Sequence, residues 1–443
     1  MKFIKSLYIH SRFFVYMAIV SLCFLASFWL TALYALAWAM VLTLGILFVM
    51  DLILLYRFKN AIEGRRLLPE KFSNSDENEV PITISNRYPF KTFIQVIDEL
   101  PVQFQKRDFS YTSILAPNAT HNFNYSVRPV ERGEYVFAQL NVFASTALKI
   151  VKRKYQFQNE QMVAVYPSFI QMQKYDFLAI GNKLTEFGLK KIRRIGHTLE
   201  FEQIKEYVPG DDFRTINWKA TAKRAQLMAN QYQDEKSQPI YSIIDTGRVM
   251  KMPFNELKLL DYAINSTLAF SNVALKKHDK VGLMTFSKNI ETLLPANQKL
   301  TYLNRILETL YNVNTQFTDS DYSLLYAQIK RKITHRSLLL LYTNFEHISA
   351  LKRQLPFLQA ISKTHMLVVI FFENTELESL INTDAEDLQS IYHKTIAEKF
   401  SYEKRLMVKE LNKHGIQTIL TAPENLTINT INKYLEIKAR GLL

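Results

Sequence analysis

Ser337–Tyr342 reads SLLLLY, and His365–Phe372, one helical pattern later, reads HMLVVIFF. Neither run alternates apolar with polar residues, so a strand in either place must be buried on both faces. Ile348–Ser362, between them, has the apolar spacing of an amphipathic helix. Buried strands joined by such a helix are typical of a parallel sheet covered by helices on both faces.

The same alternation extends over 239–443. Further strands are predicted at Pro239–Ile244, Val281–Phe286 and Ile416–Thr421, and further helices at Asn255–Lys277, Gln298–Tyr311, Asp319–Lys332, Asp387–Lys413 and Ile428–Ala439. We therefore predict a doubly wound α/β domain at 239–443. Such sheets carry their sites at the carboxyl ends of the strands. The residues at those strand ends in this chain are Asp245, Thr285–Ser287, Thr343-Asn344 and Glu373-Asn374.

Asp245 ends the first of these strands and is followed by TGRVM. This turn has neither the glycine pattern of dinucleotide-binding folds nor that of P-loops. An apolar strand that ends in Asp instead resembles the von Willebrand factor A fold. In that fold the motif D-x-S-x-S, a Thr from a second loop and an Asp from a third loop hold Mg²⁺, which prefers such oxygen ligands.

Only part of that metal site has a match in this chain. Asp245 stands at the first position, whereas Gly247 and Val249 occupy the two serine positions and have no side-chain oxygen. Thr318 matches the second-loop threonine, and the third-loop position falls in Tyr342–Asn344, which has no aspartate. Because one carboxylate and one hydroxyl make a poor Mg²⁺ site, we expect no cofactor. Mg²⁺ would bind only if backbone oxygens and a partner's carboxylate completed the site.

The N-terminal 66 residues predict two transmembrane helices. No charged residue occurs from 13 to 50, a stretch too long for one crossing and suitable for two, at about 13–30 and 36–56. Trp29, Tyr34 and Trp38 place the turn at the lipid–water interface. The apolar run is too long for a cleaved signal peptide. Basic residues flank both ends, which predicts that both ends and the soluble remainder lie in the cytoplasm: Lys2, Lys5, Arg12, Arg57, Lys59, Arg65 and Arg66.

Residues 67–160 predict a β-sandwich domain. Short alternating runs at Val80–Ser85, Thr92–Ile97, Phe109–Ile114, Phe123–Val127 and Tyr135–Val142 follow one another at the spacing of a small sandwich. This part of the sequence has no catalytic cluster, and a role as spacer or protein-binding module fits it best. The single cysteine of the chain, Cys23, excludes intrachain disulfides, multi-cysteine zinc sites and redox pairs.

A connecting region at 161–238 contains the densest motif of the chain. Tyr207–Arg224, which we call the signature segment, reads YVPGDDFRTINWKATAKR. Its Pro-Gly pair predicts a turn, after which Asp211 and Asp212 can accept bonds from backbone amides or arginine. Phe213, Ile216 and Trp218 are expected to serve as apolar anchors. Two arginines, Arg214 and Arg224, are suited to carboxylate recognition.

The signature segment resembles the pattern Y-x-P-G-D-D-x-R-x-I-x-W-x-x-[ST]-A-[RK] of domain of unknown function 58 (DUF58). The pattern is met at Tyr207, Pro209, Gly210, Asp211, Asp212, Arg214, Ile216, Trp218, Thr221, Ala222 and Lys223. Arg132–Tyr135 and Val165–Pro167 resemble upstream landmarks of the family. Ser145–Leu148 departs from it, since members tend to have Asp-Pro-Phe-Gly there.

This resemblance implies a bacterial protein of the inner (cytoplasmic) membrane, two-pass, with its soluble domains in the cytoplasm. Family members carry an A-like domain and occur beside MoxR-type AAA+ ATPases and other A-domain proteins. They are thought to act with these partners in assembling, or inserting metal into, protein complexes. No catalytic activity is established for the family.

Three function classes remain open from the sequence. The first is a membrane-anchored scaffold or adaptor that recruits a MoxR-type ATPase, which we expect. The second is an enzyme that uses Asp211, Asp212 and Arg214, although such clusters more often form ion-paired turns; we expect no enzyme. The third is nucleic-acid binding, suggested by the formal net charge of +14 and the basic run Lys190–Arg194. Since no recognised reader fold accompanies that charge, we expect no nucleic acid as partner.

Overall fold

The computed structural model describes residues 2–106, 109–157, 160–180, 200–209, 211–233, 238–382 and 387–442. The chain divides into two units, Met1–Tyr166 and Pro167–Leu443. The first unit begins with three helices and one short strand between them: α1 (Lys2–Ser6), β1 (Leu7–Ile9), α2 (Ser11–Ala26) and α3 (Ala32–Tyr56).

One of these helices, α3, is long and apolar enough to cross a membrane, by length and composition. The other apolar helix, α2, is shorter and packs on α3 through Phe24, whose ring centroid lies 5.9 Å from that of Trp38. The turn between them falls at 27–31, so α2 ends earlier and α3 begins earlier than predicted. Trp29 lies in this turn, whereas Tyr34 and Trp38 lie within α3. The three aromatic residues therefore lie in the turn and in the first two turns of α3, and not in the turn alone.

Both ends of the helix pair are fastened to the same strand. Residues N-terminal to α2 form β1, which pairs antiparallel with Val151–Phe157, the strand β10 defined below. Near the other end, the buried Asp51 of α3 accepts hydrogen bonds from Thr146 Oγ1 and from the amides of Ile150 (3.1 Å) and Val151 (2.8 Å). Arg153 of the same strand donates to the Leu55 carbonyl (2.6 Å) at the C-terminus of α3, where a cation is favoured.

The rest of the first unit is β-structure. Its strands are β2 (Ile62–Arg66), β3 (Lys71–Ser73), β4 (Asn78–Asn86), β5 (Thr92–Asp98), β6 (Tyr111–Leu115), β7 (Thr120–Val127), β8 (Gly133–Phe137), β9 (Leu140–Ser145), β10 (Val151–Phe157) and β11 (Gln161–Tyr166), with a 3₁₀ turn at Val102–Phe104. They form sheets with the orders β1-β10-β9-β5-β6, β2-β4-β7 and β3-β11-β8. Alternate side chains of β4, β5 and β9 meet in one hydrophobic core, and those of β3, β8 and β11 in a second.

One predicted strand is divided in the structure. The apolar run Tyr135–Val142 becomes β8 and β9, which belong to different sheets. The break falls at Ala138-Gln139, whose backbone groups bond to those of Glu99 instead of continuing one ladder. A periodicity argument cannot detect such a change of sheet, because the inward-facing residues stay apolar on both sides of it.

A buried ion pair lies inside the first unit. Arg66 and Asp98 pair directly, and both side chains are fully buried. Arg66 also donates to the Ala138 carbonyl (3.1 Å), and Tyr125 donates its hydroxyl to Asp98. Burial raises the pKa of the Asp98 carboxyl, and the charge of Arg66 and the bond from Tyr125 oppose this shift.

The second unit contains the predicted α/β order. Its elements are α4 (Phe169–Ile180), β12 (Glu200–Glu206), α5 (Trp218–Arg224), β13 (Met228–Gln233), β14 (Pro239–Asp245), β15 (Pro253–Phe254), β16 (Leu257–Lys258), α6 (Leu259–Lys276), β17 (Lys280–Phe286), β18 (Ile290–Asn297), α7 (Tyr302–Tyr311), α8 (Tyr322–Lys332), β19 (Leu338–Tyr342), α9 (Ile348–Ser362), β20 (Met366–Phe372), α10 (Thr375–Asn382), α11 (Leu388–Lys413), β21 (Gln417–Thr421) and α12 (Leu426–Ala439). Short 3₁₀ turns occur at Phe213–Thr215, Arg248–Lys251 and Pro423–Asn425.

The main sheet has six strands in the order β18-β17-β14-β19-β20-β21. Neighbours from β17 to β21 run parallel, whereas β18 pairs antiparallel with β17. The sequence pattern predicted an all-parallel sheet without β18, an edge strand in which polar residues and Pro295 interrupt the apolar run. Strand order reverses beside β14, so the ends of β14 and β19 form the crevice where such sheets place their sites.

The leucine run that suggested this sheet is buried on both sides. Leu338 and Leu340 of β19 belong to one hydrophobic core and Leu339 and Leu341 to another. Helices α6, α7 and α12 supply the first core, and α8, α9 and α11 supply the second. Helices thus cover both faces, as the absence of alternation predicted.

Candidate functional site

The signature segment lies between β12 and β13, which pair antiparallel. The chain leaves β12, forms the 3₁₀ turn at Phe213–Thr215 and helix α5, and returns into β13. Two backbone bonds close this excursion: the Tyr207 amide donates to the Leu227 carbonyl and the Asn217 amide to the Met228 carbonyl, each at 2.8 Å. Among the predicted signature residues, Gly210 lies outside the described part of the chain, and Pro209 is exposed at the edge of the turn.

The two aspartates of the signature serve different turns. Asp211 accepts from the Val208 amide (3.2 Å) and from Lys205 Nζ (3.0 Å). Asp212 caps the 3₁₀ turn, where its carboxylate accepts from the Arg214 amide at 3.0 Å. Their bonds therefore organise the backbone, as the sequence analysis allowed, although a lysine rather than an arginine supplies the ion pair. In these contacts the two carboxylates do not converge on one point where a substrate atom could bind.

Helix α5 is held by two polar side chains. Asn217, which the sequence analysis did not single out, caps the helix by accepting from the Ala220 amide at 3.0 Å. Thr221 accepts from the Met228 amide at 3.0 Å and so joins the helix to β13. The helix ends at Arg224, and Ala225 caps it in the left-handed conformation with φ of 55°. Thr221 is thus structural, and Ala222 is exposed beside it.

The aromatic residues of the signature face solvent. Phe213 and Trp218 are each 70% exposed, which corrects the expectation that they anchor the segment in a core. Ile216 is half-buried and makes a β-bridge with Ala229. Basic side chains are exposed along the same stretch. We call these six residues the aromatic–basic segment: Phe213, Arg214, Trp218, Lys219, Lys223 and Arg224.

A second candidate site lies at the carboxyl end of β14. The Asp245 carboxylate is fully buried and accepts three short hydrogen bonds. One oxygen accepts from the Gly247 amide (2.8 Å) and from Ser320 Oγ, and the other accepts from Thr343 Oγ1 (2.7 Å). Tyr322 OH lies 3.4 Å from this second oxygen and donates to Thr343 Oγ1 at 2.7 Å. Burial raises the pKa of Asp245, while these bonds favour the charged form.

The predicted partner of Asp245 is replaced by its neighbour. Thr318 Oγ1 is 3.5 Å from Gln316 Oε1, and the Thr318 carbonyl accepts from the Arg248 amide at 3.1 Å. Ser320, two residues later, supplies the hydroxyl that reaches Asp245. A side chain at Gly247 would overlap Ser320 Oγ and lie 3.1 Å from the Thr318 carbonyl, so it would displace the Ser320 hydroxyl from Asp245.

These residues do not fit a magnesium ion. The Asp245 carboxylate already accepts from three donors, and the Tyr322 hydroxyl lies 3.4 Å away, so little of its acceptor capacity is left for a cation. Within the described residues, no group of three or more His, Cys, Asp or Glu side chains is placed to hold a metal. A cavity of about 240 Å³ lies over the site, and its lining includes Arg248, Arg353, Asp319 and Glu346. Mixed charge of this kind suits polar contacts with a partner better than a cation cage.

A further polar cluster stands beside it at the end of β17. Glu291 Oε1 accepts from Thr246 Oγ1 (2.8 Å) and Ser287 Oγ (2.9 Å), and Ser287 Oγ also lies 3.1 Å from Gln316 Oε1. Of the strand-end residues predicted at 285–287, Ser287 thus joins neighbouring loops, whereas the buried Thr285 hydroxyl has no hydrogen-bond partner among the residues that the structure describes. Glu291 lies on the missed strand β18, which is why the sequence analysis did not identify it.

One family model matches the part of the chain that holds the signature segment and the strands on either side of Asp245. Residues 203–385 match the family model described as "Protein of unknown function DUF58". The DUF58 match contains β14, β17, β19 and β20 as well as the aromatic–basic segment. Uncharacterized protein YeaD of Bacillus subtilis (strain 168) is 24% identical over 266 residues, which cover 58% of this chain. The matched region spans 64% of YeaD's own length.

Solved structures show weaker likeness. Conserved hypothetical protein BatB from Bacteroides thetaiotaomicron is 15% identical, with a TM-score of 0.30, over 46% of this chain and 99% of its own. The PapD-like domain 7 of human CEP192 is 11% identical, with a TM-score of 0.19, over 24% of this chain and 85% of its own. TM-scores of this size support no conclusion about fold or function.

Proposed function

We propose that this chain is a membrane-anchored scaffold or adaptor that works with a MoxR-type AAA+ ATPase in the assembly or maturation of a protein complex. The observation that carries the proposal is the exposure of Phe213 and Trp218 beside four basic residues, within the DUF58 match. Exposed tryptophan and arginine are the side chains most enriched at binding hot spots. Their basic neighbours suit an acidic surface on the partner.

The signature carboxylates support binding over catalysis. An acid–base pair needs carboxylates free to meet a substrate, and both Asp211 and Asp212 accept bonds from nearby backbone amides. The family resemblance supplies the class of partner. The A-like assignment of 239–443 rests on Asp245 at the end of a central strand, on the strand-order reversal beside it and on the polar loops that converge there.

Anchoring through two membrane-spanning helices, with both ends in the cytoplasm, is part of the proposal. It is supported by the broad exposure of apolar side chains on α2 and α3 and by the attachment of both ends of the pair to β10. The strands lie at one end of the helix pair, and the turn at 27–31 lies at the opposite end. In a bacterium the turn would then lie on the periplasmic side of the inner membrane.

The topology predicts which positions a membrane-impermeant maleimide reaches in intact spheroplasts. In a Cys23→Ser background, Trp29→Cys is expected to be labelled, because Trp29 lies in the turn and is 80% exposed. Tyr402→Cys, at a residue that is 66% exposed in α11, is expected to be labelled only after lysis. Labelling of position 402 in intact spheroplasts, or protection of position 29, would contradict the two-pass topology.

Partner binding is tested by co-purification from native membranes with the AAA+ ATPase of the same bacterium. Trp218→Ser is expected to reduce the recovered ATPase about thirtyfold, since truncating a hot-spot residue costs about 2 kcal/mol. Arg214→Ala is expected to act in the same direction. Tyr402→Ser is the matched control, because it removes an equally exposed aromatic ring outside the DUF58 match. Equal recovery of the ATPase with Trp218→Ser and Tyr402→Ser would overturn the proposed role of the segment.

A further inference from the structure

A second cavity opens at the carboxyl ends of β19 and β20, beside the one above Asp245, with which it shares Asn344 and Glu346. Its volume is about 300 Å³, at the lower end of the range of small-molecule sites. The lining is mostly apolar and comes from the loop before α6, from β20 and from helices α10 and α11. Its main apolar side chains are Met252, Phe254, Leu259, Phe372, Leu377 and Phe400.

One lysine, Lys404 of α11, lines this apolar cavity and is half-buried. Its Nζ donates to Asn344 Oδ1 at 2.6 Å and to the Phe345 carbonyl at 2.7 Å. Among the described residues, no carboxylate oxygen lies within 4.0 Å of Lys404 Nζ, the distance limit for an ion pair. A buried ammonium without an ion-pair partner is destabilised relative to the neutral amine.

The two acceptors match the neutral form of the side chain. A neutral amine has two N–H donors, and Asn344 and Phe345 accept two bonds, which leaves the nitrogen lone pair available. Burial lowers the pKa of Lys404 to about 8, and the charge of Glu346 opposes this shift. At pH 7 the neutral fraction is therefore roughly two orders of magnitude larger than that of an ordinary lysine. Desolvation in an apolar pocket is one of the ways in which proteins make lysine nucleophilic.

We propose that Lys404 is the nucleophile of a covalent ligand site that takes a small apolar aldehyde or ketone as a protonated imine. The nitrogen lone pair attacks the carbonyl carbon, and the carbonyl π pair moves to oxygen, which takes up a proton. The proton that the ammonium released on becoming the neutral amine then returns to the hydroxyl of this carbinolamine. The C–O bond breaks, water leaves and a C=N bond forms. The net change converts ammonium and carbonyl compound into protonated imine and water, with no oxidant or reductant. Glu346 and Glu373 also line the cavity and can carry the proton from nitrogen to oxygen.

The site is tested by reductive trapping on the full chain at pH 7, with butanal as the apolar probe and cyanoborohydride as the reductant of the imine. Peptide mass spectrometry is expected to show Lys404 alkylated at least tenfold more than Lys277. That lysine is the matched internal control, because burial also lowers its pKa and it does not line this cavity. Glyceraldehyde, a polar aldehyde of similar length, is expected to lose this preference.

Two variants separate chemistry from packing. Lys404→Arg keeps a cation and its hydrogen bonds but removes the nucleophile, so the trapped product should disappear from that peptide. Leu377→Trp keeps Lys404 and fills the cavity, so trapping by butanal should fall at least tenfold. Equal alkylation of Lys404 and Lys277, or equal trapping of the two aldehydes at Lys404, would overturn the proposal.

Discussion

Asp98→Ala is expected to lower the free energy of unfolding of the first unit by about 3–5 kcal/mol, because it leaves the buried guanidinium of Arg66 without its carboxylate. Removing one partner of a buried ion pair is far more harmful than removing both, since desolvation of the remaining charge is no longer offset. Replacing both residues, Arg66→Met with Asp98→Leu, should therefore recover much of the loss. Native-state hydrogen exchange of the β5 and β9 amides measures the effect, and protection should fall by about 10²–10³-fold or more.

The chain offers an exposed ion pair as control. Glu63 accepts from Arg87 at 2.7 Å, and the two side chains are 50% and 62% exposed. Because exposed pairs contribute about 0–1 kcal/mol, Glu63→Ala should change the protection of the same amides less than about fivefold. If Asp98→Ala and Glu63→Ala had equal effects, Arg66 would have to reach water in the folded protein, and the buried pair would not exist.

The sequence predicted the main sheet well for a physical reason. Strands buried on both faces must be apolar at every position, so SLLLLY and HMLVVIFF could be recognised without knowing their partners. The helices between them keep one apolar stripe, and α9 has the predicted bounds, Ile348–Ser362. Edge strand β18 was missed because only part of it is buried.

Residues that act through long-range contacts could not be predicted in the same way. Arg66 and Asp98 lie on different strands, and nothing in the local pattern shows that they meet. Ser320 reaches Asp245 across 75 positions, while Thr318, chosen by its match to a motif, does not accept or donate there. Trp218 was expected to be buried from its residue type alone, yet its position at the start of a short, solvent-facing helix leaves it exposed.

Asp245→Ala is the second substitution with a large expected effect. It removes the acceptor of the Gly247 amide, Ser320 Oγ and Thr343 Oγ1 at a carboxylate that water does not reach. Tyr322 OH and Thr343 Oγ1 are 2.7 Å apart and can bond to each other, so the loss falls mainly on the Gly247 amide and Ser320. Each buried donor left without an acceptor costs about 1–3 kcal/mol, which gives about 3 kcal/mol in all. Hydrogen exchange of the β14 and β19 amides reports this loss.

Asp245→Asn separates the carboxylate's structural role from metal binding. An amide of the same shape keeps an oxygen for the Gly247 amide, and the hydroxyl of Ser320, Tyr322 or Thr343 can rotate to accept from its NH₂. The variant should therefore lose clearly less stability than Asp245→Ala. Because three donors and the nearby Tyr322 hydroxyl surround the Asp245 carboxylate, 10 mM Mg²⁺ should leave the protection of β14 amides unchanged in both proteins. A site with a Kd of about 0.1 mM would instead add about 2.7 kcal/mol. Stabilisation by Mg²⁺ in the unmodified chain, lost in Asp245→Asn, would show that the ion displaces these donors and that the site binds metal after all.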